Sequence, residues 1–427
     1  MKLKFLGGCS EVGRSAILVD GKILLDYGLR PSDPPEVPLG SGTILPKTVI
    51  VSHAHLDHSG MVPSLMSAGM DMAPDVYMTS ITRDLTQLLG RDTIKVGKDQ
   101  GFVFFGEEDV RKMDEYSHPV AYGERIALNG SDYGADYEFE FCNAGHIPGS
   151  SAVYLRKESD DISLFYTGDI KMGETRLMES APADDFPTSD ILLIESTYYN
   201  REHRNRKDLE REFIDSITDT LDSGGNAIVP CFAVGRTQEI VMILHSYGLT
   251  PYVDGMGLSV FSLFKNHPSF LKNAKALNDA FSDAMFVNSK RRKRALSEPS
   301  VIVTTAGMLS GGPVLYYLKK IREDPRCKVL LTGYQIEGTN GRRLVEEGCV
   351  EADGEVVKVN AEVEQYDFSA HAGDSELKKL VSRFCRNGAG IIFAVHGDST
   401  EEFATWIREN YGCDAAAPKN GEEFIIE

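Results

Sequence analysis

The sequence predicts an α/β protein in which a β-rich host is interrupted by a parallel-sheet unit. Three observations carry this. Over the first 200 residues, short β-rich runs alternate with turns and a few helical stretches. From about residue 200 helices and strands alternate, the pattern of a parallel sheet with crossover helices. Near residue 366 the first style returns, so the simplest organisation is a host of 1–198 and 366–427 around an insert of 199–365.

The elements follow in order. Leu3 to Leu6 reads as a first strand running into a Gly7-Gly8 turn. Ala16 to Leu25 reads as a hairpin across Asp20-Gly21, a pair that suits the twist of joined strands. Thr48 to Ser52 is a short buried strand, and Thr79 to Arg91 has helical spacing in Ile81, Leu85, Leu88 and Leu89. Phe139 to Cys142, Ser151 to Leu155, Ser163 to Thr167 and Ile191 to Ile194 are further strands. In the insert, Asp208 to Leu221 reads as a helix stopped by Gly224-Gly225. Asn226 to Pro230 is a buried strand and Arg236 to His245 a helix; Pro251 to Val253, Ser300 to Thr304 and Lys328 to Thr332 are strands.

Composition narrows the function classes. No run approaches the ~18 apolar residues of a membrane span, and Met1 to Ser10 is too short and Gly-rich for a secretory leader. A cytoplasmic location without membrane contact is the expectation. The seven cysteines (Cys9, Cys142, Cys231, Cys327, Cys349, Cys385 and Cys413) form no C-x-x-C pair and are odd in number. That argues against a disulfide framework and a thiolate zinc site. The net charge of −19 disfavours non-specific binding to polyanions. A protein acting on one must concentrate its positive charge locally. Two runs do so: Arg201, Arg204, Arg206 and Lys207 around His203, and Lys290, Arg291, Arg292, Lys293 and Arg294. Either could instead be a solvated helix face.

The chemistry sits where strands end. Ser52 is followed by His53-Ala54-His55-Leu56-Asp57-His58, three imidazoles and a carboxylate within six positions. His53 and His55 are two apart, so an extended backbone points both the same way. Asp57 and His58 continue into the turn and reach a second point nearby. Zinc takes imidazole nitrogen and carboxylate oxygen, and a bridged metal pair needs two such sets side by side. Further candidates follow later strands: His146 after Phe139 to Cys142, and Asp169 after Ser163 to Thr167, whose two oxygens suit it to bridging. Asp26, ending Ile23 to Leu25, is a candidate acceptor that would fix a histidine tautomer. The stretch Gly7-Gly8 to Gly13 lacks the Lys-Ser/Thr and β-α unit of a nucleotide loop, so that reading fails.

These residues and their spacing resemble the metallo-β-lactamase superfamily. Within it, Ile194-Glu195-Ser196-Thr197-Tyr198, Phe368-Ser369-Ala370-His371-Ala372 and Ala394-Val395-His396-Gly397 resemble motifs A, B and C of the β-CASP group. So do Pro230 to Glu239, Gly307-Met308-Leu309, Gly311-Gly312-Pro313, Gly333-Tyr334-Gln335 and Glu337-Gly338-Thr339. The likeness covers essentially the whole chain. It is greatest to archaeal and bacterial proteins similar to the nuclease subunit of the eukaryotic cleavage and polyadenylation specificity factor, without the KH domains some carry. Gly373 departs from the pattern, standing where the family often has Asp, with Asp374 one position later.

The resemblance implies a metallo-β-lactamase αββα sandwich with an inserted α/β, parallel-sheet β-CASP domain that closes as a lid. It implies two Zn2+ per chain: His53, His55 and His146 on one, Asp57, His58 and His396 on the other, with Asp169 bridging. Glu195 would orient the attacking water or hold His371, and His371 would be the general acid. The implied activity is hydrolysis of phosphodiester bonds in single-stranded RNA by metal-activated water, with room for a homodimer. Arg236, Thr305, Gly307, Ser369, Lys290, Arg291 and Arg292 are the candidate RNA contacts, since glycine lets backbone N–H groups approach phosphate closely. Three rivals stand beside it. An ester hydrolase of this fold would lack the insert. In the family's DNA-acting branch, Val tends to replace the motif C histidine, here His396. A non-catalytic RNA-binding subunit would have lost zinc ligands.

Overall fold

The computed structural model describes residues 1–32, 34–68, 73–129, 133, 135–335, 338–352 and 354–427. Glu337 of the Glu337-Gly338-Thr339 stretch lies outside them. Two compact units result: Met1–Glu174, Ser180–Glu202 and Ala370–Glu427 in the first, Thr175–Glu179 and His203–Ser369 in the second. The excursion at Thr175–Glu179 has no counterpart in the sequence reading. Its anchor is long-range, because the Glu239 carboxylate accepts from the backbone N–H groups of Arg176 and Leu177.

The first unit has two seven-stranded sheets. One runs Glu423–Ile425, Lys2–Gly7, Ala16–Val19, Ile23–Leu25, Thr48–Ile50, Asp75–Met78 and Ser117–Pro119 in spatial order. The other runs Asp414–Ala416, Ile391–Val395, Ile191–Glu195, Ile162–Tyr166, Ser151–Lys157, Tyr137–Asn143 and Arg125–Leu128. One shared core joins their inner faces, with Phe5, Ile17, Leu25 and Ile50 from the first sheet against Phe139, Val153, Leu164 and Leu193 from the second. The outer face of the first sheet buries Val49 and Val76 against Met61, Leu65 and Met113. The outer face of the second buries Phe165 and Leu192 against Leu377, Phe384, Phe403 and Ile407 of helices Asp374–Arg386 and Thr400–Tyr411. These are the four layers of the αββα sandwich.

Local chemistry explains the elements. Asp20 and Gly21 both take positive φ (47° and 73°), the primed turn that joins Ala16–Val19 to Ile23–Leu25. The helix expected to end at Arg91 runs over Ser80–Gln100. Ile94 and Gly97 continue its buried side, and only Gly101, at φ 82°, stops it. Pairing direction then places the site. Ile23–Leu25 and Thr48–Ile50 are parallel, with Leu25 opposite Ile50, so Asp26 meets the start of the histidine-rich loop. Ile162–Tyr166, Ile191–Glu195 and Ile391–Val395 are mutually parallel, so the chain leaves all three at one edge of the second sheet.

The second unit has a six-stranded sheet in the order Met285–Val287, Tyr252–Asp254, Val301–Thr304, Ala227–Pro230, Lys328–Leu331 and Glu362–Gln365, parallel throughout. Helix Arg206–Asp222 starts two residues before the expected Asp208 because Asn205 caps it, accepting from Lys207 and Asp208 N–H. Among the described residues no helix is long and apolar enough to cross a membrane.

Candidate metal centre

Asp169 organises the site. Its Oδ2 lies 3.4 Å from His53 Nε2 and 3.5 Å from His146 Nε2. Both rings also face His55 Nδ1, at 3.2 and 3.1 Å. Its Oδ1 lies 3.2 Å from His58 Nε2 and 3.6 Å from His396 Nε2, and Asp57 Oδ2 is 3.7 Å from the same His396 nitrogen. One carboxylate therefore presents a separate oxygen to each of two donor sets. The loop carrying Asp57 and His58 is not simply a turn: Leu56–Ser59 forms one helical turn, and the centre of the His58 ring packs 4.2 Å from that of His53.

The outer nitrogens of four rings are held. His58 Nδ1 is 2.7 Å from Asp26 Oδ2, which also accepts from the Ser52 and Tyr166 hydroxyls. His146 Nδ1 donates to the Ala370 carbonyl at 2.7 Å, His396 Nδ1 meets Ser15 Oγ at 2.8 Å, and His53 Nδ1 meets Ser52 Oγ at 3.0 Å. Such partners fix tautomer and direction, turning the remaining lone pair inward. Asp26 and His396 take positive φ (57° and 50°), a left-handed step that few side chains adopt without a reason.

A buried polar atom without a partner costs about 1–3 kcal/mol and calls for an explanation. His58 Nε2 and His396 Nε2 face Asp169 Oδ1 at 3.2 and 3.6 Å as ion-pair neighbours, yet among the described residues none of the three makes a well-directed hydrogen bond. Burial, the largest influence on each, holds His53 and His146 well below the usual histidine range, so both rings are neutral donors. Imidazole nitrogens and carboxylate oxygens converging on unsatisfied atoms are the donor set zinc takes. His53, His55, His146 and Asp169 form one candidate ligand group, and His58, Asp169 and His396 another.

His371 stands beside this cluster. Its Nδ1 is 2.9 Å from Glu195 Oε2, and its Nε2 points inward, 3.8 Å from Asp169 Oδ2. Glu195 is itself fixed, Oε1 accepting from the Ile170 N–H at 2.7 Å. Of the two roles the resemblance offered for Glu195, the contact made is with His371. Lys171 Nζ holds the His371 carbonyl at 2.9 Å, and the Tyr198 ring stacks at 5.9 Å. Burial works against the charged ring, but the Glu195 and Asp169 carboxylates outweigh it and raise His371 to about 9. Gly373 does not leave the loop unsupported: Ala372 N–H donates to Ile170 O, and Gly373 caps helix Asp374–Arg386 through Glu376.

In the second unit, the loops after Ala227–Pro230, Val301–Thr304 and Lys328–Leu331 meet around Phe232. A side chain at Gly307 would fall 2.9 Å from the Phe232 nitrogen. Arg236 donates to the Thr332 carbonyl. Thr305 is buried and its carbonyl accepts from Val314. Ser369 donates its N–H to Asp367 Oδ1. Lys290 and Arg291 are exposed, but Arg292 turns inward, its Nε 2.7 Å from the buried Asp254. In the other basic run, Arg204 pairs with Glu212, and Arg206 pairs with Glu239 and lies over the Phe368 ring. The supports Ser15, Tyr166 and Lys171 escaped the sequence reading, since they are ordinary residues made significant only by tertiary contact.

Comparison with known proteins places the chain. Residues 237–344 match the model of the Beta-Casp domain, and residues 356–418 that of the Zn-dependent metallo-hydrolase RNA specificity domain. The protein named Probable RNase MJ4, from Methanocaldococcus jannaschii, is 36% identical over the full length of both chains. RNase aCSPSF2 of Saccharolobus solfataricus is 35% identical, over 99% of this chain and 85% of that one. Transcription termination factor FttA of Pyrococcus abyssi is 34% identical, over 98% of this chain and 70% of that one. With its sandwich, its parallel-sheet second unit and its histidine-aspartate centre, the chain belongs to the β-CASP family of metallo-hydrolases.

Proposed function

We propose that the protein is a ribonuclease that hydrolyses phosphodiester bonds in single-stranded RNA with two zinc ions per chain. The observation that carries this reading is the division of Asp169, whose two oxygens face different imidazole sets. His53, His55 and His146 would hold one ion, Asp57, His58 and His396 the other, with Asp169 shared. The names of the relatives, two of them RNases, support RNA as the substrate. The same reading takes 1–198 and 366–427 as the host domain and 199–365 as the β-CASP insert.

Zinc, when bound, supplies Lewis acidity that acidifies water and offsets phosphate charge. The chain's own residues do the rest. Asp26, Ser15 and the Ala370 carbonyl keep His58, His396 and His146 aimed inward, so little reorganisation is left for the reaction. Glu195 holds His371 Nδ1, which leaves the inward Nε2–H to protonate the ribose oxygen as it departs. With Glu195 against its outer nitrogen, a histidine, which ordinarily titrates close to neutrality, is suited to that donation. Arg236, Thr305, Gly307 and Ser369, with Lys290 and Arg291, would meet the RNA backbone.

The test is metal analysis of protein purified without chelator, paired with cleavage of matched single-stranded RNA and DNA. About two zincs per chain and cleavage of RNA are expected. Zinc-free protein that still cuts RNA ends the metal reading, and preference for DNA ends the substrate reading.

A further inference from the structure

Outside the metal centre, the first unit has a groove of about 570 Å³ along the outer side of helix Asp374–Arg386. Lys378, Lys379, Arg383 and Arg386 line it, against one lining carboxylate, Asp184. For a chain of net charge −19 this is a marked local reversal. Trp406, the chain's single tryptophan, forms part of the wall and is half-buried.

The cations are incompletely neutralised. Arg383 gives its hydrogen bonds to the backbone carbonyls of Asp184 and Phe186, which do not cancel its charge, and its Nη1 is buried without a partner among the described residues. Lys379 meets Asp184 at 3.7 Å with both side chains exposed, a pair of little strength in water. Arg386 is exposed. Lys378 does pair with Asp374, while its ammonium lies 5.0 Å from the Trp406 ring centre. Lys378 to Arg386 spans eight residues, or ~12 Å of helix, enough for a few consecutive phosphates. A positive track beside a partly exposed aromatic side chain is how single strands are held without regard to sequence. The helix begins three residues after His371, so the groove leads away from the reacting centre.

We propose that this groove is a second RNA-holding surface, in which the exposed Lys379 and Arg386 meet the backbone of the strand flanking the cleavage point and one base packs against the exposed edge of Trp406. This rests on the ribonuclease reading above. Because Trp406 is the chain's only tryptophan, its fluorescence reports directly. With His371→Ala holoprotein, which should bind without appreciable cutting, an oligoadenylate of ~20 nucleotides should quench that emission. Quenching should saturate at the concentration where labelled RNA shows binding by anisotropy. Lys379→Gln/Arg386→Gln, introduced into the native enzyme, should bind the oligomer on the order of ten-fold more weakly and lower the slope of log K against log salt by about 1.4. It should still cleave a tetranucleotide at the native rate. Normal RNA binding and cleavage with a silent Trp406, or an unchanged salt slope in the double variant, overturns the second surface alone. Quenching by polyglutamate but not by RNA overturns it in favour of an acidic protein segment. A native protein that neither binds nor cuts RNA ends both this proposal and the reading beneath it.

Discussion

Asp169 and Asp254 are both buried carboxylates at the carboxyl ends of strands, one in each unit, and they are used in opposite ways. Asp254 is closed: Arg292 Nε lies 2.7 Å from Oδ2 and the Tyr317 hydroxyl donates at 2.9 Å. Asp169 is open. Among the described residues its ion-pair neighbours are five imidazoles at 3.2–3.8 Å, and its Oδ1 has no hydrogen-bond partner. A buried acid met by a permanent cation holds the chain together. A buried acid met only by titratable, neutral-capable donors is arranged for something that is not a side chain. The comparison separates structural charge from functional charge without reference to any relative.

The largest expected effect tests the open member. Asp169→Ala removes the shared oxygen pair, so zinc should fall from about two per chain to well below one, and RNA cleavage should fall to background. Mass spectrometry under native conditions reads the metal. If Asp169→Ala keeps both ions, Asp169 is not the bridge and the contrast with Asp254 loses its meaning.

His371 sharpens the same contrast, since it faces Asp169 at 3.8 Å and with Glu195 forms a further group that could itself hold a metal, so acid and ligand are the two roles to separate. His371→Ala should retain both zincs and bind RNA normally, while cutting on the order of 10²–10⁴-fold more slowly. A substrate with a sulfur leaving group needs no proton and should recover much of that loss. A variant that arrives short of zinc, or a thio substrate slowed as much as the natural one, removes the acid role.

The two carboxylates also differ in how far the sequence exposes them. The histidine-rich loop was legible because its donors lie within six positions, and His146 and Asp169 because each follows a recognisable strand; His396 was legible only through its resemblance to a family motif. Their supports were not. Ser15 reaches His396 across 381 positions and Tyr166 reaches Asp26 across 140, and neither residue type announces such a role. Helix Asp374–Arg386 was missed despite an available signal, the buried spacing of Leu377, Leu380, Val381 and Phe384. In the run Lys290 to Arg294, one dimension makes all five cations look alike. Only the fold shows that Arg292 is spent on Asp254.

The closed member predicts a loss of stability rather than of metal. Asp254→Ala leaves Arg292 without its partner and Tyr317 without its acceptor. Breaking a buried pair costs about 3 kcal/mol, taken at the low end because Arg292 keeps 23% of its side-chain surface exposed. The expected result is a lower denaturant midpoint with zinc content unchanged. Zinc loss in a folded Asp254→Ala protein would mean that the two carboxylates are coupled rather than contrasted.

The smallest effect divides one charge run into its two kinds of residue. Arg292 belongs with Asp254, whereas Lys290, Arg291 and Lys293 face solvent. Arg292→Gln should therefore lower stability and leave the salt dependence of RNA binding as it was. Lys290→Gln, Arg291→Gln and Lys293→Gln together should do the reverse. Thermal stability should stay near native, because exposed substitutions outside ion pairs usually change it by less than about 0.5 kcal/mol, and Arg291, though it precedes helix Arg292–Ala295, makes no side-chain capping bond. The slope of log K against log salt should fall by about 2, at ~0.7 for each phosphate of a single strand that is no longer neutralised. If the triple variant keeps the native slope, the exposed cations are a solvated helix face, and RNA must be held elsewhere. If Arg292→Gln flattens the slope instead, the inward-turned arginine is not closed by Asp254 in solution, and the distinction between the two carboxylates fails at its simplest point.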